Sequence, residues 1–117
     1  MEKKGNVIQE KSFAFALKII SLYKELTKQN EFVLSKQLLR SGTSIGANVE
    51  EALAAQSRKD FLHKMSIASK EARETEYFLK PLMMSKLVPM DYSMHLKEIG
   101  SIVNILTKIV KTTTQKI

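Results

Sequence analysis

Glu71 and Glu74 stand one helical turn apart between Ile67 and Phe78, so a helix would set two carboxylates on an otherwise apolar stripe. Carboxylates placed there are costly unless a cation or an amide pairs with them. Arg40, Asn48 and Lys70 are the available partners, with Lys70 within one turn of Glu74. Upstream, Arg40, Ser44, Asn48 and Glu51 follow one another at three- and four-residue spacing and share a helix face. The set Arg40, Ser44, Asn48, Glu51, Lys70, Glu71 and Glu74 therefore has two uses open to it. It could be a hydrogen-bonded network that fixes helix register, or a groove that receives a helix or loop of a partner protein.

Reactive chemistry finds little support. A di-metal bundle site needs two Glu-x-x-His pairs and two further glutamates, and no histidine follows Glu71-x-x-Glu74 at that spacing. Asp60-x-x-His63 and Asp91-x-x-x-His95 each put a carboxylate beside an imidazole, but near helix starts, where Asp is favoured by capping and the helix dipole alone. The absence of cysteine excludes thiol catalysis, thiolate metal sites and a disulfide scaffold, and suits a reducing cytoplasm. Ser41 and Ser44 have no nearby histidine and no strand-turn-helix elbow. Gly42-x-x-x-Gly46 lacks the Lys-Ser/Thr of a phosphate loop and points to helix packing. The expectation is a protein that is not an enzyme and carries no cofactor or metal.

Net charge is +7, with balances of +4 over residues 1–49, +1 over 50–86 and +2 over 87–117. A spread excess of this kind gives either a solvated lysine-rich surface or a delocalised attraction to RNA, DNA or an acidic partner. Candidate phosphate contacts are Lys11, Lys18, Lys24, Lys28, Lys36, Arg58, Lys59 and Lys64. Single-strand recognition needs exposed aromatic platforms. Seven of the eight aromatics fall on stripes or joints that should be buried, and Phe32 is the loosest. Phosphate contact with slight sequence preference is the form that binding would take.

The elements that must position these groups are helical. The apolar spacing predicts helices over about 7–29, 33–55, 57–86 and 90–112 within one domain spanning 1–117. Phe15, Ile19, Leu22 and Leu26 form the main stripe of the first, with Phe13, Ala16, Leu17, Ile20 and Tyr23 as a second stripe beside it. Leu34, Leu38, Ile45, Val49 and Ala52 or Leu53 line the second helix, where Gly42 and Gly46 each cost about 1 kcal/mol relative to Ala. That cost implies close approach of another backbone or a polar network. The third helix reads Phe61, Met65, Ala68, Ala72, Thr75, Leu79 and Leu82, opened by Ser57 and Asp60 as a capping box. Pro81 should kink it or end it near Lys80. The fourth carries Tyr92, Leu96, Ile99, Val103, Leu106 and Val110 plus a second stripe of Ile102, Ile105 and Ile109, with Thr112 to Gln115 as a fraying tail.

Short links force antiparallel neighbours, so the fold class is all-α, an antiparallel up-down-up-down four-helix bundle. The first and fourth helices carry more apolar arc than one bundle core buries, which favours a homo-oligomer joined through them. No apolar run reaches the roughly 20 residues of a membrane span, and no signal segment opens the chain, so a cytoplasmic protein is expected.

Several runs carry a resemblance. They are Ser12-Phe13, Leu34 through Leu38, Arg40-Ser41-Gly42-Thr43-Ser44-Ile45-Gly46-Ala47-Asn48-Val49-Glu50-Glu51-Ala52, Ser57 through Phe61, Lys64 through Ala68, and Lys70 through Thr75 with Tyr77. Together they resemble the bacterial four-helix-bundle proteins named after 23S ribosomal RNA intervening sequences. The resemblance covers nearly the whole chain; Pro81 departs from it. It implies a ring-like homopentamer in a family whose biochemical role is largely undefined. A related group, the accessory proteins of diversity-generating retroelements, is similar in fold and charge and partners a reverse transcriptase. By that analogy the expected function is an oligomeric basic scaffold associating weakly with RNA, DNA or a ribonucleoprotein partner. The alternative is a protein-protein adaptor that uses the polar groove between the second and third helices.

Overall fold

A computed structural model describes residues 6–117, which form four helices: α1 (Val7–Lys28), α2 (Leu34–Leu53), α3 (Arg58–Ser85) and α4 (Ser93–Gln115). Each helix packs on its neighbours in sequence and α1 closes the ring against α4, giving the four-helix bundle that the connections require. The longest dimension, 45 Å, is close to the roughly 42 Å expected of the 28-residue α3.

The core is built from the stripes expected of an amphipathic bundle. Phe15, Ile19 and Leu26 of α1 and Leu38, Ile45 and Val49 of α2 are buried. They meet Met65, Ala68, Ala72, Leu79 and Leu82 of α3 and Ile99, Ile102 and Leu106 of α4. Fully burying one such large side chain is worth about 1.5–3 kcal/mol, so these positions dominate the stability of the fold.

Helix ends are held by side chains close in sequence. Ser57 Oγ accepts the Asp60 amide at 3.0 Å at the start of α3. The reciprocal half of the expected capping box is absent among the described hydrogen bonds, because Asp is one methylene shorter than the Glu such a box uses. Lys86, in the left-handed region at φ 58°, ends α3, and Asn30 turns the α1–α2 link at φ 65°. Asp91 Oδ1 accepts the Ser93 amide at 2.9 Å, and that bond holds its carboxyl below the ordinary range.

Four expectations are corrected. Of the two outcomes expected at Pro81, the early end near Lys80 does not occur: α3 continues through the proline to Ser85, within one residue of the expected 57–86. Leu82, fully buried one residue beyond the proline, anchors the last turn, and Pro81 itself is exposed. α4 begins and ends about three residues later than the periodicity indicates, at Ser93 and Gln115. The threonine tail does not fray, since Thr113 is buried and its hydroxyl, like that of Thr114, bonds the carbonyl four residues back at 2.7 Å. The second stripe of α4 does not face outward either. Ile102 is 1% exposed, and Ile105 and Ile109 pack against the core, so of these two helices it is α1 that keeps an unpartnered apolar stripe.

Candidate functional site

The polar seam between α2 and α3 is assembled by two glycines on the opposite side of α2. Gly42 presses its bare face on Ile19 of α1, and Gly46 faces Ser12. This seats α2 against α1 and leaves Arg40, Ser44 and Glu51 toward the open side of the bundle. Arg40 there forks between two carboxylates of α3, with Nη1 3.2 Å from Glu71 Oε1 and Nη2 2.7 Å from Glu74 Oε2. The hydrogen bond to Glu74 and the charges of both acids raise the already high Arg40 pKa further. Half-exposed pairs of this kind contribute little each, about 0–1 kcal/mol, though the forked geometry favours one register.

Beneath the fork lies the buried part of the seam. Thr75 Oγ1 is 2.8 Å from Ser41 Oγ and 2.8 Å from the Glu71 carbonyl. One hydroxyl has one proton to give, so Thr75 donating to the carbonyl and Ser41 donating to Thr75 satisfies every group. Both residues are fully buried. The sequence set named the surface half of this network and missed Thr75, which reads as a core stripe position, and Ser41 as its partner. Pairing two small hydroxyl residues on facing stripes was the available signal.

The remaining residues of the expected set fall elsewhere. Glu51 pairs with Lys64 at 2.7 Å, about three turns farther along α2 from Arg40. Asn48 turns its amide back to the Ser44 carbonyl at 2.9 Å and does not reach the α3 carboxylates. Ser44 bonds the Ser41 carbonyl. Lys70 is exposed and takes no part in the ion pairs among the described residues, because Arg40 reaches across the seam and occupies Glu74 first.

Among the expected phosphate contacts, Lys18 is paired with Glu98 of α4, Lys64 with Glu51, and Lys28 lies 3.9 Å from Glu25. Arg58 Nη1 donates to the Lys116 carbonyl at 3.2 Å. Lys11, Lys24, Lys36 and Lys59 are exposed and outside the ion pairs among the described residues. The aromatic expectation is corrected: Phe13 and Tyr77, both 66% exposed, join Phe32 at the surface. Phe13 lies on the outer stripe of α1, and Tyr77 leans edge-on against Phe78 on the outer side of α3.

Two features were not foreseen. Glu31, in the α1–α2 link, is a buried carboxylate that accepts the amides of Val33, Leu34 and Ser35 at 3.0, 2.9 and 2.6 Å. Burial alone would raise its carboxyl, but the Leu34, Ser35 and Val33 amides outweigh burial and hold it below its usual value. His95 of α4 has a buried Nδ1 with no hydrogen-bond partner, and burial pushes its imidazole below the usual value. Asp60 and His63 are both exposed. No group of three or more His, Asp or Glu side chains converges among the described residues.

The outer stripe of α1 forms the last element. Phe13, Leu17 and Ile20 are 66%, 54% and 41% exposed and line a cavity of about 330 Å³ with Ala47 and Glu50 of α2. Glu50 is held there by Gln9, whose Nε2 donates to it at 2.7 Å.

With this geometry in place, comparison with known proteins is decisive for kinship. The profile described as "23S rRNA-intervening sequence protein" matches residues 4–108. The chain belongs to that family. A solved structure described as a protein of unknown function from the S23 ribosomal protein family, from Bacteroides thetaiotaomicron VPI-5482, is 48% identical. It superposes with a TM-score of 0.85 over 90% of this chain and 99% of its own. Comparison with curated proteins gives no match. For this intervening-sequence protein the family fixes the bundle, while an activity has to be argued from the surface.

Proposed function

We propose that this intervening-sequence protein is an oligomeric basic scaffold that holds RNA through phosphate contacts. One observation carries the proposal. Among the described residues, five ion pairs engage only Lys18, Lys28, Arg40 and Lys64 of the cations, and most of the other described lysines stand exposed. A surface with cations held out of internal pairs attracts a polyanion, and such binding is dominated by counterion release. The family name, which refers to sequences within 23S ribosomal RNA, favours RNA as the polyanion.

Assembly amplifies the effect. The apolar stripe of α1 offers a face by which copies associate, and a ring of five would carry about +35 from +7 per chain. The proposal needs no catalytic group.

Fluorescence anisotropy with a labelled RNA over a salt series tests it. Affinity should fall steeply, with a log-log slope of about 0.7–0.9 for each phosphate neutralised. Affinity unchanged between low and moderate salt, or no binding at low salt, would overturn the proposal.

A further inference from the structure

The outward arc of α4 is made of cations and small polar groups. Lys97, Ser101, Asn104, Lys108 and Lys111 recur at spacings of four, three, four and three, so they form one straight stripe. Gly100 and Thr107 lie beside it. Lys97, Asn104, Thr107, Lys108 and Lys111 are all exposed. The stripe holds no large apolar residue and no carboxylate. Glu98, the one acid in α4, lies on the flank toward α1 and is occupied by Lys18. From the other flank Arg73 of α3 donates to Thr107 Oγ1 at 2.8 Å, bringing a fourth cation to the edge of the stripe. Glu76, three residues from Arg73, is half-buried on α3, while Glu74, next to Arg73 in sequence, is taken by Arg40 of α2.

Gly100 makes the stripe approachable. A Cβ built there would meet nothing within 4 Å, so unlike Gly42 it serves no internal packing. A glycine in mid-helix costs about 1 kcal/mol relative to Ala. Packing does not account for that cost here, whereas a bare patch of backbone on a cationic face admits a bulky rod. Small hydroxyl and amide groups between cations suit the wide, shallow minor groove of A-form RNA, where 2′-hydroxyls and phosphates are displayed together. Lys97 and Lys111 are about 21 Å apart along the axis at 1.5 Å per residue, so the stripe is long enough to meet several phosphates.

We infer that this α4 face is the RNA-docking surface, and that its occupant is the minor-groove side of an RNA duplex. The inference rests on the scaffold proposal above and narrows it. The contacts come from Lys97, Lys108 and Lys111 with Ser101 and Asn104 between them, not from the lysines of α1 and α2.

Three variants beside the wild type, and two probes, test it, with circular dichroism and sizing confirming the fold of each variant. The probes are an RNA duplex and a DNA duplex of the same sequence. Lys97→Gln/Lys108→Gln/Lys111→Gln should lose at least about tenfold in RNA affinity, and its salt slope should drop by about 3, one per phosphate contact removed. Lys11→Gln/Lys24→Gln/Lys36→Gln, with the same charge loss on other helices, should stay within about threefold of the wild type. Gly100→Glu should unfold no more easily than the wild type, since it removes a helix-weakening glycine, yet bind RNA at least about tenfold more weakly. The RNA duplex should bind more tightly than the DNA duplex. Equal losses in the two triple variants, a greater loss in the α1/α2 variant, unchanged binding by Gly100→Glu, or a preference for DNA would each overturn the α4 assignment while leaving the scaffold proposal standing. Absence of RNA binding by the wild type would remove both.

Discussion

Gly42 lies so close to Ile19 that a Cβ at position 42 would fall 2.8 Å from Ile19 Cγ1 and 2.9 Å from Cγ2. Ile19 is fully buried and branched at Cβ, a side chain with one favoured rotamer in a helix, so it cannot step aside. Gly42→Ala should therefore destabilise the fold, with overpacking strain of about 1–3 kcal/mol offsetting the helix-propensity gain of about 1 kcal/mol. Four residues on, a Cβ at Gly46 would meet Ser12 at an ordinary 3.5 Å. Gly46→Ala should be neutral or stabilising by up to about 1 kcal/mol. Chemical denaturation of the two variants checks the contrast, and equal effects would mean that the α1–α2 contact is looser than described.

The hydroxyl pair under the Arg40 fork should respond asymmetrically. Ser41→Ala leaves Thr75 bonded to the Glu71 carbonyl and should cost less than about 1 kcal/mol. Thr75→Val strands the buried Ser41 hydroxyl and should cost about 1–3 kcal/mol. In the double variant the stranded group is gone, so its loss should be smaller than that of Thr75→Val alone. A double-mutant cycle by denaturation measures the coupling.

Glu31 gives the bundle part of its acid sensitivity. Its folded carboxyl is depressed below the usual value near 4.5, so the stability it contributes is complete above that pH and is lost as pH falls through the folded value. Glu31→Ala should cost about 0.5–2 kcal/mol at neutral pH, as for other lost helix caps. The difference from the wild type should shrink below pH 4.5 in a pH series of thermal melts. A gap that stays constant down to pH 2 would assign the loss to packing and not to the carboxylate.

Much of this bundle could be read from residue spacing. The stripes Phe15-Ile19-Leu22-Leu26 and Leu38-Ile45-Val49-Ala52 pick out buried faces because the helical period alone decides which side chains share a side. Of the glycine pair, Gly42 marks a close approach, made by the Ile19 side chain and not by another backbone, while Gly46 makes only an ordinary contact with Ser12. Periodicity does not say how wide an arc the neighbouring helices cover. Ile102, Ile105 and Ile109 were therefore expected outside and lie against the core, while Phe13, Leu17 and Ile20, on an equally apolar second stripe, lie outside. Glu31 escaped because it sits three residues before α2 and caps from a link, where no spacing rule singles it out. Of the polar seam, charge pairing across helices was foreseen in kind, with Arg40 among its cations. Which carboxylate each cation takes depends on the axial register of α2 against α3, which spacing within either helix does not give.

Self-association through α1 underlies the scaffold account, and its mass in solution tests that most directly. Sedimentation equilibrium or light scattering at micromolar concentration should give the wild type several times 13.3 kDa. Phe13→Lys/Leu17→Lys, altering two exposed positions, should bring the mass down to a single chain with helix content unchanged. A wild-type mass of 13.3 kDa, constant across the concentration range, would contradict the account.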